Sequence, residues 1–143
     1  MVQNIFFNIE GEVKHPFPHK EKIYKDWLSN VAINEQKQIS SLNYIFCTDD
    51  FLLDINNKFL GHDYYTDIIT FPYQQGLVLE SDIFISLDRV KENACDFMVT
   101  FDNELKRVIL HGLLHLAGYD DNTEIDIKLM RQKEDYYLDK WEV

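Results

Sequence analysis

Two histidines, His111 and His115, stand four residues apart in the stretch 110–122, LHGLLHLAGYDDN. On a helix that spacing puts both imidazoles on one face, one turn apart. Gly118 follows where such a helix can end, and Asp120 and Asp121 lie just past the break. A chain that reverses at Gly118 can carry a carboxylate back toward the two rings. Two histidines and one carboxylate are a recognised ligand set for a divalent ion with an open fourth position for water. The candidate metal ligands are therefore His111, His115 and Asp121. The expected cofactor is one divalent ion per chain, Zn(II) first, although the same donors suit Fe, Co or Ni.

The helix carrying these residues is apolar nearly all round after Arg107, with Val108, Ile109, Leu110, Leu113, Leu114, Leu116 and Ala117. That pattern belongs to a helix buried in the domain, and it places both histidines inside. An unpaired polar group there costs roughly 1 to 3 kcal/mol, so each ring needs a partner. The spacing is also that of the metzincin pattern HExxHxxGxxH, with Gly112 in place of the glutamate and Asp121 in place of the third histidine. In zincin-type peptidases the glutamate is the general base, and glycine accepts no proton. No side chain of this stretch is assigned as the base, and a water acidified by the ion has to serve instead. Asp120 is a candidate for orienting His115 or that water.

The rest of the chain supplies elements to hold this helix. Residues 2 to 9 alternate as a strand with Ile5, Phe7 and Ile9 on one face. His15 and His19 read as surface residues. A helix over about 19–35 carries Ile23, Trp27 and Val31. Residues 41–48 form a second strand through Leu42, Tyr44 and Phe46. Thr48 or Asp49 caps the next helix, whose stripe is Phe51, Leu52, Ile55 and Phe59 and whose stop is Gly61. Residues 68–71 make a strand ended by Pro72, and 77–86 make another. A short helix over 88–97 follows Ser86. Thr100 opens the histidine helix and Thr123 the last one, in which Ile127, Met130 and Tyr137 pack while Arg131, Lys133 and Glu134 stay in water. The predicted order is βαβαββααα: an α+β fold, one mixed sheet of about four strands with roughly five helices against it, and a zincin-like metal-binding helix. Residues 1–143 read as a single domain.

Composition restricts the partners. The chain has 14 Lys and Arg against 25 Asp and Glu, a net charge of −11. A nucleic-acid partner cannot be held by the overall field and has to rely on a local patch, a metal or a carrier particle. No apolar run reaches a membrane span, and the start lacks the form of a signal peptide. Cys47 and Cys95 form no CxxC pair, so a reduced, cytoplasmic setting is expected. Tyr64, Tyr65 and Tyr73 can stack on bases or sit at a core rim. Lys106 and Arg107 offer a phosphate contact or simply a wet helix start. His62 reads as a loop residue, Thr66 and Asp67 as residues that shape a cleft, and Trp27 and Trp141 as packing residues.

Three blocks together resemble the YbeY family of single-strand-specific endoribonucleases. HGLLHLAGYDD is similar to that family's H-G-x-x-H-L-x-G-Y-D-H. Ile55-Asn56, Phe59, Gly61, Asp63 and Thr66 through Pro72 resemble its L-N-x-x-[YF]-R-G-x-D-x-x-T-[DN]-V-L-[ST]-F-P, and Ser81 through Ser86 its G-D-I-x-I-[SC]. Three positions depart: Asp121 stands for the third histidine, Leu60 for the arginine, Ser81 for a glycine. The resemblance implies a metal-dependent endoribonuclease acting on single-stranded RNA in small-subunit rRNA 3′-end maturation and ribosome quality control, with substrate delivered on ribosomal particles. Two other readings stand beside it: a non-catalytic ribosome-assembly factor with a structural metal, and a metal hydrolase of another substrate.

Overall fold

A computed structural model describes residues 4–141, so Val2 and Gln3 of the expected first strand lie outside the described residues. The order is β1 (Ile5–Ile9), α1 (Glu21–Asn34), β2 (Gln38–Cys47), α2 (Asp49–Leu60), β3 (Ile68–Gln74), β4 (Val78–Ser86), α3 (Leu87–Phe97), α4 (Phe101–Leu116) and α5 (Glu124–Leu138). This is the predicted βαβαββααα. The four strands form one mixed sheet in the order β1-β2-β4-β3, parallel except for the antiparallel pair β3–β4. Among the described residues no helix is long and apolar enough to cross a membrane.

Strand alternation sorts the core into two faces. Ile5, Phe7, Leu42, Tyr44, Phe46, Ile83 and Ile85 meet α1, α4 and α5 in the main cluster. Cys47 and Ile69, with Phe71 and Phe84, meet Leu52 and Ile55 of α2 in a smaller cluster. The Tyr44 hydroxyl, fully buried, donates to the Ile109 carbonyl at 3.0 Å and ties α4 to the sheet. β3 is an edge strand, which explains why Pro72 does not end it: the missing N–H costs no ladder bond there, and the strand runs on to Gln74.

Hydroxyls cap α2, α3, α4 and α5, whereas α1 starts after Lys20 without a side-chain cap. The side chains of Thr48, Ser86, Thr100 and Thr123 accept from the N–H groups of Phe51, Arg89, Asn103 and Asp126. Gly61 closes α2 in the left-handed region at φ 68°.

Several expectations need correction. Phe59, assigned to the buried stripe of α2, is exposed, near the end of that helix, and meets the Phe71 ring edge to face at 6.0 Å. His15 is half-buried rather than superficial: its Nδ1 accepts from the Phe17 N–H at 3.0 Å and its Nε2 faces Glu21 at 3.0 Å. Ile127 is 52% exposed and Glu134 is buried, each the reverse of its predicted placement on α5, while Met130 and Tyr137 are buried as predicted. α5 lies on α4 along the face that carries Met130, Glu134 and Tyr137.

The contact between α1 and α5 turns on Glu35. Its carboxylate accepts from the hydroxyls of Tyr119, at 2.7 Å, and Tyr137, and faces Lys133 at 3.5 Å. Burial raises the Glu35 pKa, but the two hydroxyls and the lysine outweigh it and leave it below its ordinary 4.5. The stabilisation is therefore complete above 4.5 and is lost as pH falls through the lower, folded value. Glu35→Ala is expected to cost about 2 kcal/mol in urea denaturation near neutral pH, a cost that shrinks as pH falls below 4.5 through the lower, folded value. An equal loss at both pH values would contradict this.

Candidate active site

α4 is held so that its two histidines open onto a cleft beside β3. Thr100 caps its start, Tyr44 pins its middle, and Gly112 lets it lie close to the sheet. A Cβ on Gly112 would stand 2.9 Å from Cδ1 of Ile68 and 3.4 Å from Cγ2 of Ile83. At its end, Gly118 takes φ 115°, and the Tyr119 N–H bonds back to the Leu114 carbonyl at 3.1 Å. The chain thus reverses and brings Asp121 over the first histidine.

His111, Gly112, His115 and Asp121, with Ile68 and Thr70 of β3, line one cleft of about 190 Å³. Both histidines are half-buried rather than inside the core, because their face of α4 overlooks this cleft while the leucines face the sheet. Nε2 of His111 faces Oδ2 of Asp121 at 3.6 Å. Its Nδ1 meets Oε2 of Glu134 at 2.8 Å. A carboxylate only accepts, so Nδ1 carries the proton and Nε2 directs its lone pair into the cleft. The Nδ1 of His115 is fixed more loosely by the Tyr119 carbonyl at 3.3 Å, again leaving Nε2 free. Asp120 is exposed, and the partner at Nδ1 of His115 is the Tyr119 carbonyl.

Glu134 is the residue that sequence reasoning missed. Its side chain is 5% exposed, and its second oxygen meets Nη1 of Arg107 at 2.9 Å. Arg107 spends its other nitrogen on Asp135 at 2.7 Å. The arginine offered above as a phosphate contact is therefore committed within the protein, and Lys106 lies over the Trp141 ring at 4.1 Å. The only signal for Glu134 was its spacing of four from Met130 and three from Tyr137, both predicted to pack.

Electrostatics at the His111 ring favour a cation. Burial pushes the His111 imidazole down, but Glu134, by hydrogen bond and charge, together with Asp121 and Asp67, carries its pKa above the ordinary 6.5. Asp67 lines the adjoining cavity behind His111, and there burial pushes its carboxyl above 3.8 against the pull of His111. Among the described residues no three His, Cys, Asp or Glu side chains form a group that could already hold a metal ion. The chemistry of the donors nevertheless fits one. Two ligands at about 2 Å from a tetrahedral ion stand roughly 3.3 Å apart, close to the His111–Asp121 separation, and both tautomers leave Nε2 available.

The aromatic candidates line none of these cavities around His111. Tyr64, Tyr65 and Tyr73 are exposed, with hydroxyls bonded to His62, Asp50 and Asp82. Trp27 and Trp141 pack edge to face at 5.0 Å, as expected. Asp67 shapes the cavity wall, and Thr66 bonds locally to the Ile68 carbonyl.

The sequence model of the family described as Endoribonuclease YbeY matches residues 7–142. A Flavobacterium psychrophilum protein named Endoribonuclease YbeY is 48% identical over 132 residues, 92% of this chain and 91% of its own length. A Bacteroides thetaiotaomicron protein of the same name is 45% identical over 134 residues, 94% and 96% of the two chains. The solution structure of TM1509 from Thermotoga maritima superposes with a TM-score of 0.68 at 31% identity, covering 95% of this chain and 87% of its own.

Proposed function

The chain belongs to the YbeY family of endoribonucleases, and from that premise we propose that it cleaves single-stranded RNA at the cleft between α4, the turn at Gly118 and edge strand β3. Its substrate is small-subunit rRNA, matured at the 3′ end and monitored for quality on ribosomal particles in the cytoplasm. Delivery on a particle suits a chain of net charge −11, whose field would not gather free RNA. His111, His115 and Asp121 would hold one divalent ion, Zn(II) first. When bound, such an ion acidifies water and offsets charge at a phosphodiester.

The observation that carries this reading is the approach of Nε2 of His111 to Asp121 at 3.6 Å while Nδ1 is held by Glu134 at 2.8 Å. A histidine fixed in this tautomer by a carboxylate is set to donate its other nitrogen. The protein's own contribution is orientation. Glu134 holds the His111 ring, the Tyr119 carbonyl that of His115, and Ile68 and Thr70 of β3 form the facing wall. Gly112 places no carboxylate between the rings, so peptidase-type base chemistry has no residue to perform it.

The test is metal content measured beside cleavage of a labelled single-stranded RNA. Cleavage should disappear with a chelator, return with Zn(II), and be absent in His115→Ala. Undiminished cleavage by His115→Ala would overturn the mechanism.

A further inference from the structure

We propose that Arg131 is the cation that receives a substrate phosphate beside this cleft, in the cavities that adjoin it at His111 and Asp121; the inference rests on the RNA-cleaving reading above. A phosphodiester approaching His111 meets a wall of carboxylates: Asp67, Glu104, Asp121 and Glu134 all line the cavities around that ring. Such a wall repels a polyanion unless a cation stands among them. Arg107 is in place but is spent on Glu134 and Asp135. Leu60, the position at which the family resemblance leads one to look for an arginine, is an apolar side chain 44% exposed at the end of α2.

Arg131 remains. It lines two cavities that His111 and Asp121 also line, of about 280 and 230 Å³, which adjoin the cleft holding His115. It shares a face of α5 with Ile127 and Glu134, at the spacing of one helical turn on either side. It is exposed, so its head reaches the solvent from which a strand would enter. Among the described residues it is the one cation lining these cavities that makes no ion pair within 4 Å. Its planar fork of donors matches the two non-bridging oxygens of a phosphodiester, which a lysine contacts only as a point charge. Arg131 thus does by position what Leu60 cannot do by chemistry, from α5 instead of from α2.

The experiment uses the full chain and a fluorescein-labelled single-stranded oligoribonucleotide. Anisotropy is followed across a salt series with chelator present to keep the RNA intact, and steady-state cleavage is followed with Zn(II). Arg131→Gln is expected to weaken binding about tenfold and to flatten the slope of log affinity against log salt by about 0.7, the contribution of one phosphate contact on a single strand. In cleavage, KM should rise while kcat stays. Arg131→Lys should keep the salt slope and recover part of the affinity. The melting temperature should move little, since the side chain is exposed and its attraction to Glu104 is exerted without a contact ion pair. Arg131→Gln with wild-type affinity and salt slope would overturn the assignment and leave the RNA reading intact. A wild-type chain that neither binds nor cleaves RNA would overturn both.

Discussion

Replacing Glu134 by alanine is expected to cost about 3 kcal/mol of stability and to lower both metal affinity and RNA cleavage by about 10- to 100-fold. The stability loss follows from Arg107, whose side chain is only 18% exposed and which would be left with Asp135 alone. Removing one member of a buried pair is costly because the other keeps its charge and loses its counter-charge. The functional loss has a separate cause. Without Glu134 nothing fixes the proton of His111 on Nδ1, and the ring can turn or take the other tautomer. Glu134→Gln separates the two effects. Its amide oxygen still accepts from Nδ1, so metal affinity should be recovered in large part, while the charge opposite Arg107 is lost and stability stays low. Urea denaturation and zinc competition against a chromophoric chelator read the two quantities independently. If both variants bound zinc as tightly as the wild type, Glu134 would have no role in holding His111.

The second large effect is expected at Gly112. Gly112→Glu restores the peptidase-type HExxH pattern, and the geometry has no room for it. Its Cβ would already press on Cδ1 of Ile68 at 2.9 Å and lie 3.4 Å from Ile83. The remaining atoms would drive a carboxylate between α4 and the sheet or out across the cleft. A loss of more than about 3 kcal/mol is expected, from overpacking and an unpaired buried charge, with no gain of peptide hydrolysis. Gly112→Ala is the control. The nearest contact is the tip of an isoleucine side chain, which can rotate away. Alanine also favours the helix by about 1 kcal/mol, so a net change within about 1 kcal/mol is expected. Thermal unfolding of the pair decides: a stable, folded Gly112→Glu protein would show that the glycine is there for chemistry alone and not for packing.

The glycine shows how far reading the sequence can go. That Gly112 removes the peptidase base is legible from its type and spacing. That it also admits the helix to the sheet is not, because the contact with Ile68 and Ile83 joins segments about 30 to 45 residues apart. Phe59 and Ile127 were misplaced for a related reason. Helical periodicity says which residues share a face, but not where along its length a helix leaves the surface it packs on.

By itself the sequence determined the element order, the capped helix starts, the reversal at Gly118, the pairing of His111 with His115 on one face, and the family. These are written in residues within a turn or two of each other, where backbone geometry leaves few choices. Only the tertiary structure decided which side chains complete the site. Glu134 reads as a solvated charge on α5 until α5 docks on α4. Docking then buries it between Arg107 and His111, where desolvation forces each group to find a partner, and the same packing sets Arg131 in the adjoining cavities without a contact ion pair.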